Sequence, residues 1–149
     1  MRLPGKSRPG FTVVELVLVL AAVLTAASAA LPAMDGLHKQ WTLLGATRLL
    51  EQSLQWGRMH AVASNSDLAF EVDSGGKQFY WKDPRTGETY EASRRHLPGD
   101  VRVVSYPRRP LRFFPRGNAV PAGTFTLQGD AGTYRVIVSP AGRIRVEKN

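Results

Sequence analysis

The sequence predicts an α+β fold: one long N-terminal helix packed on short antiparallel β-strands. Three observations carry this. Residues 11–34 form an almost wholly apolar run, residues 37–61 continue it at helical spacing, and from residue 68 the pattern breaks into short strands divided by turn residues.

The apolar run comes first. From Phe11 to Met34 there are 24 residues, and Glu15 is the one charged residue among them. At about 1.5 Å per residue such a helix reaches roughly 36 Å, enough to cross a bilayer's hydrocarbon core. Arg2, Lys6 and Arg8 precede it with no acidic residue, which places the N-terminus in the cytoplasm and the chain after Met34 across the membrane. A carboxylate near the start of a membrane helix costs ~2.5 kcal/mol or more, so Glu15 points to a role and a partner. The alternative for this stretch is an ordinary secretory signal cut near Ala27-Ser28-Ala29. Against it, the apolar run exceeds a normal signal core, and a glutamate inside that core is costly.

Pro32 should bend the helix near the point where it leaves the lipid. Beyond it Leu37, Trp41, Leu44, Arg48, Leu50, Leu54 and Ala61 read as an amphipathic continuation over residues 35–64, ended by Ser64-Asn65-Ser66. Trp41 and Trp56 lie on this helix and are expected in the core; a ligand stack is the other reading. The strands follow. Leu68–Val72 and Gln78–Trp81 flank Ser74-Gly75-Gly76 as a hairpin, and Asp83-Pro84-Arg85-Thr86-Gly87 is a turn. Residues 92–100 read as a loop. Val101–Tyr106, Leu111–Phe114, Phe125–Leu127 and Thr133–Val138 read as strands, and Ser139-Pro140-Ala141-Gly142 turns into Arg143–Val146.

Catalytic chemistry is not expected. There is no cysteine, His38, His60 and His96 are scattered without metal-ligand spacing, and no nucleophile or phosphate-loop motif occurs. Neither a cofactor nor a metal is implied. Charge is more informative. The net charge is +8, and residues 94–149 hold 11 Lys/Arg against 3 Asp/Glu while residues 35–93 hold 6 against 8. Ten of those eleven distal cations are arginine, the residue suited to forked contact with carboxylate or phosphate. Arg143 and Arg145, two apart in a strand, project from one face, with Arg135 joining them if the register allows. Such a face could grip successive phosphates, or it could be the solvated side of a terminal hairpin.

A basic leader ending in Gly10, then Phe11-Thr12-Val13-Val14-Glu15 and an apolar run, resembles a type IV prepilin signal. The resemblance implies that a prepilin peptidase cuts after Gly10 and methylates Phe11. It also implies that Glu15 pairs with the α-amine of a neighbouring subunit and that Pro32 kinks the helix. Phe114-Pro115-Arg116-Gly117, Gly123–Leu127, the strand 134–138 and Gly142-Arg143-Ile144-Arg145 are similar to the C-terminal domain of the GspH/FimT family of minor pseudopilins. The implied organisation is a leader (1–10), a transmembrane and assembly helix (11–34), its amphipathic continuation (35–64) and a β domain (65–149). The implied function is that of a non-enzymatic structural subunit of a type II secretion pseudopilus or a type IV pilus, at or near the filament tip. Its partners would be other pilin or pseudopilin subunits. It would sit in the bacterial inner membrane with its β domain in the periplasm. One branch of the family binds DNA during natural transformation through a Gly-Arg-x-Arg element, here Gly142, Arg143 and Arg145, which makes DNA the alternative partner.

Overall fold

The computed structural model describes residues 12–149, apart from the side chains of residues 29–33. Gly10 and Phe11 therefore lie outside the described residues, as does the side chain of Pro32 with its expected kink. Helix α1 runs Val13–Ala63. Contacts divide the chain into two compact units, residues 1–36 and 37–149. Among the described residues no helix is long and apolar enough to cross a membrane. Unbroken description of the apolar run covers residues 12–28, short of the ~20 residues that a span needs.

The second unit holds the core. Its strands are β1 Leu68–Val72, β2 Gln78–Lys82, β3 Thr89–His96, β4 Arg102–Ser105, β5 Leu111–Phe113, β6 Ala119–Val120, β7 Gly123–Gly129, β8 Gly132–Val138 and β9 Ile144–Lys148. They form two antiparallel sheets, one ordered β3-β2-β1-β5-β6 and the other β4-β7-β8-β9. On α1 the buried positions are Leu43, Ala46, Thr47, Leu50, Leu54, Gly57 and Ala61, recurring every three or four residues along one face apart from the adjacent Ala46 and Thr47. They meet Phe70, Phe79, Trp81 and Phe113 from the first sheet and Val103, Phe125, Leu127, Val136 and Val138 from the second. α1 ends where expected. Asn65 takes a left-handed φ of 49°, and the Ser66 N–H reaches back to the Ala61 carbonyl at 3.2 Å.

Backbone bonds tie the sheets together. The Val103 N–H of β4 donates to the Gly76 carbonyl at 2.8 Å, and the Leu97 N–H to the Lys77 carbonyl at 2.8 Å. Gly76 is at φ +67°, and a Cβ there would strike the Val103 carbonyl, so the β1–β2 turn needs glycine twice over. The next turn behaves as its residues demand. The Asp83 carboxylate accepts the N–H of Arg85 at 2.8 Å, which chiefly holds its pKa below the ordinary value, and Gly87 closes at φ +76°.

Two expectations are corrected. Residues 92–96 are not loop but the end of β3, the edge strand beside β2. Ser93 is the one buried residue of β3, so no apolar alternation marks it. Trp41 and Trp56 are not in the core. They are 68% and 42% exposed, because the face that packs on the sheets is set by Leu43, Leu50 and Leu54 and lies to one side of both.

The fold's tightest approach is between helix and sheet. The fully buried Trp81 ring lies against Gly57 of α1, where a Cβ would fall on Cζ2 and Cη2 of the indole. Gly57→Ala should therefore lower the unfolding free energy by up to about 2 kcal/mol, since overpacking costs ~1–3 kcal/mol and helix propensity returns only ~1 kcal/mol. Gly45→Ala, whose Cβ would meet nothing within 4 Å, should stabilise by up to ~1 kcal/mol. Urea unfolding of a fragment of residues 37–149 reads both. Equal effects at the two glycines would contradict the packing assigned to Trp81.

Candidate assembly segment and cationic face

Glu15 sits in the first turn of α1. The hydroxyl of Thr12 accepts the Glu15 N–H at 3.3 Å, and the Thr12 carbonyl accepts the Leu16 N–H at 3.1 Å, so Thr12 caps the helix. A carboxylate three residues after such a cap faces the positive end of the helix dipole. The residues around it are apolar and open: Val13, Val14, Leu16, Val17, Leu18 and Leu20 are all at least half exposed. One acidic group thus stands in a sleeve of uncovered aliphatic surface. Thr12 is absent from the sequence expectations, although its three-residue spacing from Glu15 is the sequence signal for a cap.

The structure divides the Gly142-Arg143-Ile144-Arg145 element by role. Gly142 is buried at φ +74°, and a Cβ there would run into the Gly117 carbonyl, with the Arg58 guanidinium beside it. Arg58, from α1, donates its Nε–H to that same carbonyl at 3.0 Å. The turn is closed by the Gly142 N–H on the Ser139 carbonyl at 2.8 Å, and the Ala119 N–H reaches the Pro140 carbonyl at 2.9 Å. Gly142 is therefore a packing glycine where turn, helix and neighbouring turn meet.

The arginines are a different matter. Arg145 lies in β9, whereas Arg143 precedes the strand rather than opening it as expected, because its carbonyl is engaged by the Ser139 N–H at 2.9 Å inside the turn. Both are exposed, while Ile144 and Val146 pack against the core. Register decides what joins them. Arg135 pairs with Glu147 and Ile137 with Arg145, so Arg135, Arg145 and Glu147 share the outer face of the sheet. Through β7 the same face continues to Arg102, since Arg102 opposes Gln128 and Gln128 opposes Thr133. The Arg135 guanidinium lies 3.6 Å from the Glu147 carboxylate; both are about half exposed, so the pair adds little stability. It does neutralise Arg135. Among the described residues no ion pair involves Arg102, Arg143 or Arg145. Glu147 and Arg102 are the members of this face that strand pattern alone does not reveal, because both depend on register. Among the described residues no group of side chains converges to hold a metal.

With this geometry in hand, the comparisons are informative. Residues 46–142 match the family model described as type II transport protein GspH, more than half of the chain. The type IV minor pilin FimU of Pseudomonas aeruginosa has a similar structure, 21% identical over 70% of this chain and 87% of its own, with a TM-score of 0.61. So has the minor pseudopilin EpsH from the type 2 secretion system of Vibrio cholerae, 15% identical over 70% of this chain and 94% of its own, with a TM-score of 0.56. No curated protein sequence matches the chain. The solved structures establish the type IV pilin-like fold, helix on antiparallel sheets, and the matched segment runs from α1 through the Gly142 turn. The chain belongs to the GspH family of minor pseudopilins, structural subunits rather than enzymes.

Proposed function

We propose that the protein is a minor subunit near the tip of a type II secretion pseudopilus or a type IV pilus. The prepilin peptidase removes residues 1–10 after Gly10 and methylates Phe11. The helix waits in the inner membrane with the β domain in the periplasm until assembly extracts it. Pro32 marks where the helix leaves the lipid. The observation that carries the reading is the N-terminal part of α1. From Val13 to Leu24 its aliphatic side chains are exposed among the described residues. Lipid or the helices of neighbouring subunits would cover that surface. In the second setting Glu15 gains a partner, the α-amine of an adjacent subunit, and each buried charge compensates the other.

Replacing Glu15 with Leu separates membrane insertion from assembly. Insertion should be unaffected or easier, while recovery of the variant in sheared filaments falls at least about ten-fold, the effect of losing roughly 1.4 kcal/mol of pairing. Immunoblots of membrane and filament fractions give both numbers. Filament recovery equal to wild type would remove the pairing.

A second reading rests on Arg102 and Arg145, on the outer face of the β4-β7-β8-β9 sheet, and on Arg143 in the turn before β9, none of which has a carboxylate partner among the described residues. On this reading the face binds DNA through phosphates without reading sequence. Affinity of a 37–149 fragment for labelled duplex, followed by anisotropy, should fall as salt rises. Arg143→Gln with Arg145→Gln should flatten the log–log salt slope by up to about two units, at ~0.9 per phosphate contact. Arg85→Gln, on a turn elsewhere, should change little. Equal slopes for the wild type and the double variant would leave the arginines as a solvated hairpin face.

A further inference from the structure

α1 and the edge strand β3 leave a groove of about 390 Å³ between them, within the ~300–1,000 Å³ of small-molecule sites. α1 lines it with Leu49, Ser53, Trp56 and His60, three to four residues apart and so on one helix face, and with Gln52 beside Ser53. Trp56 stacks on His60 with ring centroids 4.8 Å apart and planes at 16°. Tyr90 of β3 meets His60 edge-on at 5.9 Å, and Trp81 closes the floor 6.3 Å from Trp56. Partly open aromatic rings beside polar groups form a surface that a ligand can use, and none of these residues belongs to the Glu15 segment or to the arginine face.

The groove's chemistry narrows its occupant. An added β-strand is disfavoured, because Arg95 donates to the carbonyls of Ala92 at 2.8 Å and Arg94 at 3.0 Å and would have to be displaced. A polyanion is disfavoured by compensated charge. Glu51 pairs with Arg48 at 2.8 Å and Glu91 with Arg94 at 3.0 Å, leaving Arg95 as the one fixed cation lining the groove. A cation would find aromatic faces but no carboxylate among the lining residues. A purely apolar side chain would desolvate Gln52 and Ser53 without replacing their bonds. An uncharged or singly anionic ring with an apolar face and several hydroxyls meets every condition.

We propose that this groove binds a pyranose ring of a glycan. The C–H face of the sugar lies on Trp56, a residue 42% exposed. Ser53 accepts the Trp81 Nε1–H at 3.1 Å and keeps its own proton to donate to a ring hydroxyl. The Gln52 amide offers both a donor and an acceptor, and Arg95 stands ready for a hydroxyl or a single carboxylate.

The test uses the full chain in lipid nanodiscs, without glycoside detergents, and saturation-transfer NMR with chitobiose and with maltose. Saturable transfer to the ring C–H protons of at least one disaccharide is expected. Trp56→Ala should weaken it about ten-fold and Gln52→Leu about five-fold. Trp41→Ala, on the same helix but outside the groove, should leave it unchanged. Circular dichroism checks each variant's fold; if Trp56→Ala does not fold, Gln52→Leu decides alone, since it keeps every aromatic ring. The proposal is overturned by absence of saturable transfer to both sugars, or by unchanged binding in Gln52→Leu. Tighter binding of adenosine monophosphate or of hexaproline would overturn it too, in favour of a nucleotide or a peptide.

Discussion

The contact between Trp81 and Gly57 is the constraint on which the rest of the β domain depends. The indole is fully buried, and through its ring and backbone Trp81 contacts four elements at once. Its ring lies on α1 at Gly57, its Nε1–H donates to Ser53 at 3.1 Å, and its backbone N–H donates to Ser93 of β3 at 2.9 Å. Phe70 of β1 and Phe113 of β5 stand 4.9 and 6.0 Å from it. One residue thereby sets the separation of helix from sheet, bonds the edge strand and packs its ring against β1 and β5. The helix must carry glycine there for the ring to fit, and only then do Leu50 and Leu54 come into contact with the sheets.

Close backbone approach recurs wherever the two sheets meet. Gly76 brings the β1–β2 turn against β4, and Gly142 brings the β8–β9 turn against Gly117 and Arg58. The consequence for function lies in the second junction. The Gly-Arg-x-Arg element combines a residue needed for packing with two residues that are open to solvent. In this chain the glycine of the motif is needed for packing whether or not its arginines bind anything. The outer face is moderated by the same register that builds it, since aligning Arg135 with Arg145 also brings Glu147 into the row.

Fold class, the helix end at Ser64-Asn65-Ser66, the first hairpin and the turn at Asp83 were legible in the sequence, because each rests on local chemistry: periodicity, a left-handed asparagine, or a carboxylate that caps its own turn. β3 was not, since a strand with one buried residue has no buried face to alternate. The tryptophans misled for a related reason. An apolar stripe through Leu37, Trp41 and Leu44 satisfies helical spacing as well as the true one through Leu43, Leu50 and Leu54, and only the sheets choose between them. At the candidate sites, the exposure of Arg143 and Arg145 beside the inward Ile144 and Val146 followed from spacing, but the start of the strand after Arg143 did not. Arg102 and Glu147 needed strand order and register, which are long-range properties.

Along α1 the residues from Leu43 to Ala61 bury one face against the sheets, whereas the aliphatic residues from Val13 to Leu24 are exposed, and on the proposed function other molecules cover them. The most direct measurement is site-specific photocrosslinking from Leu18, in the exposed aliphatic sleeve, in cells that assemble filaments. Crosslinks to the N-terminal helices of other pilin-like subunits, lost when assembly is blocked, are the expected result. Crosslinking confined to lipid, or to no subunit at all, while filaments containing the protein still form would contradict a helix that serves as an assembly element.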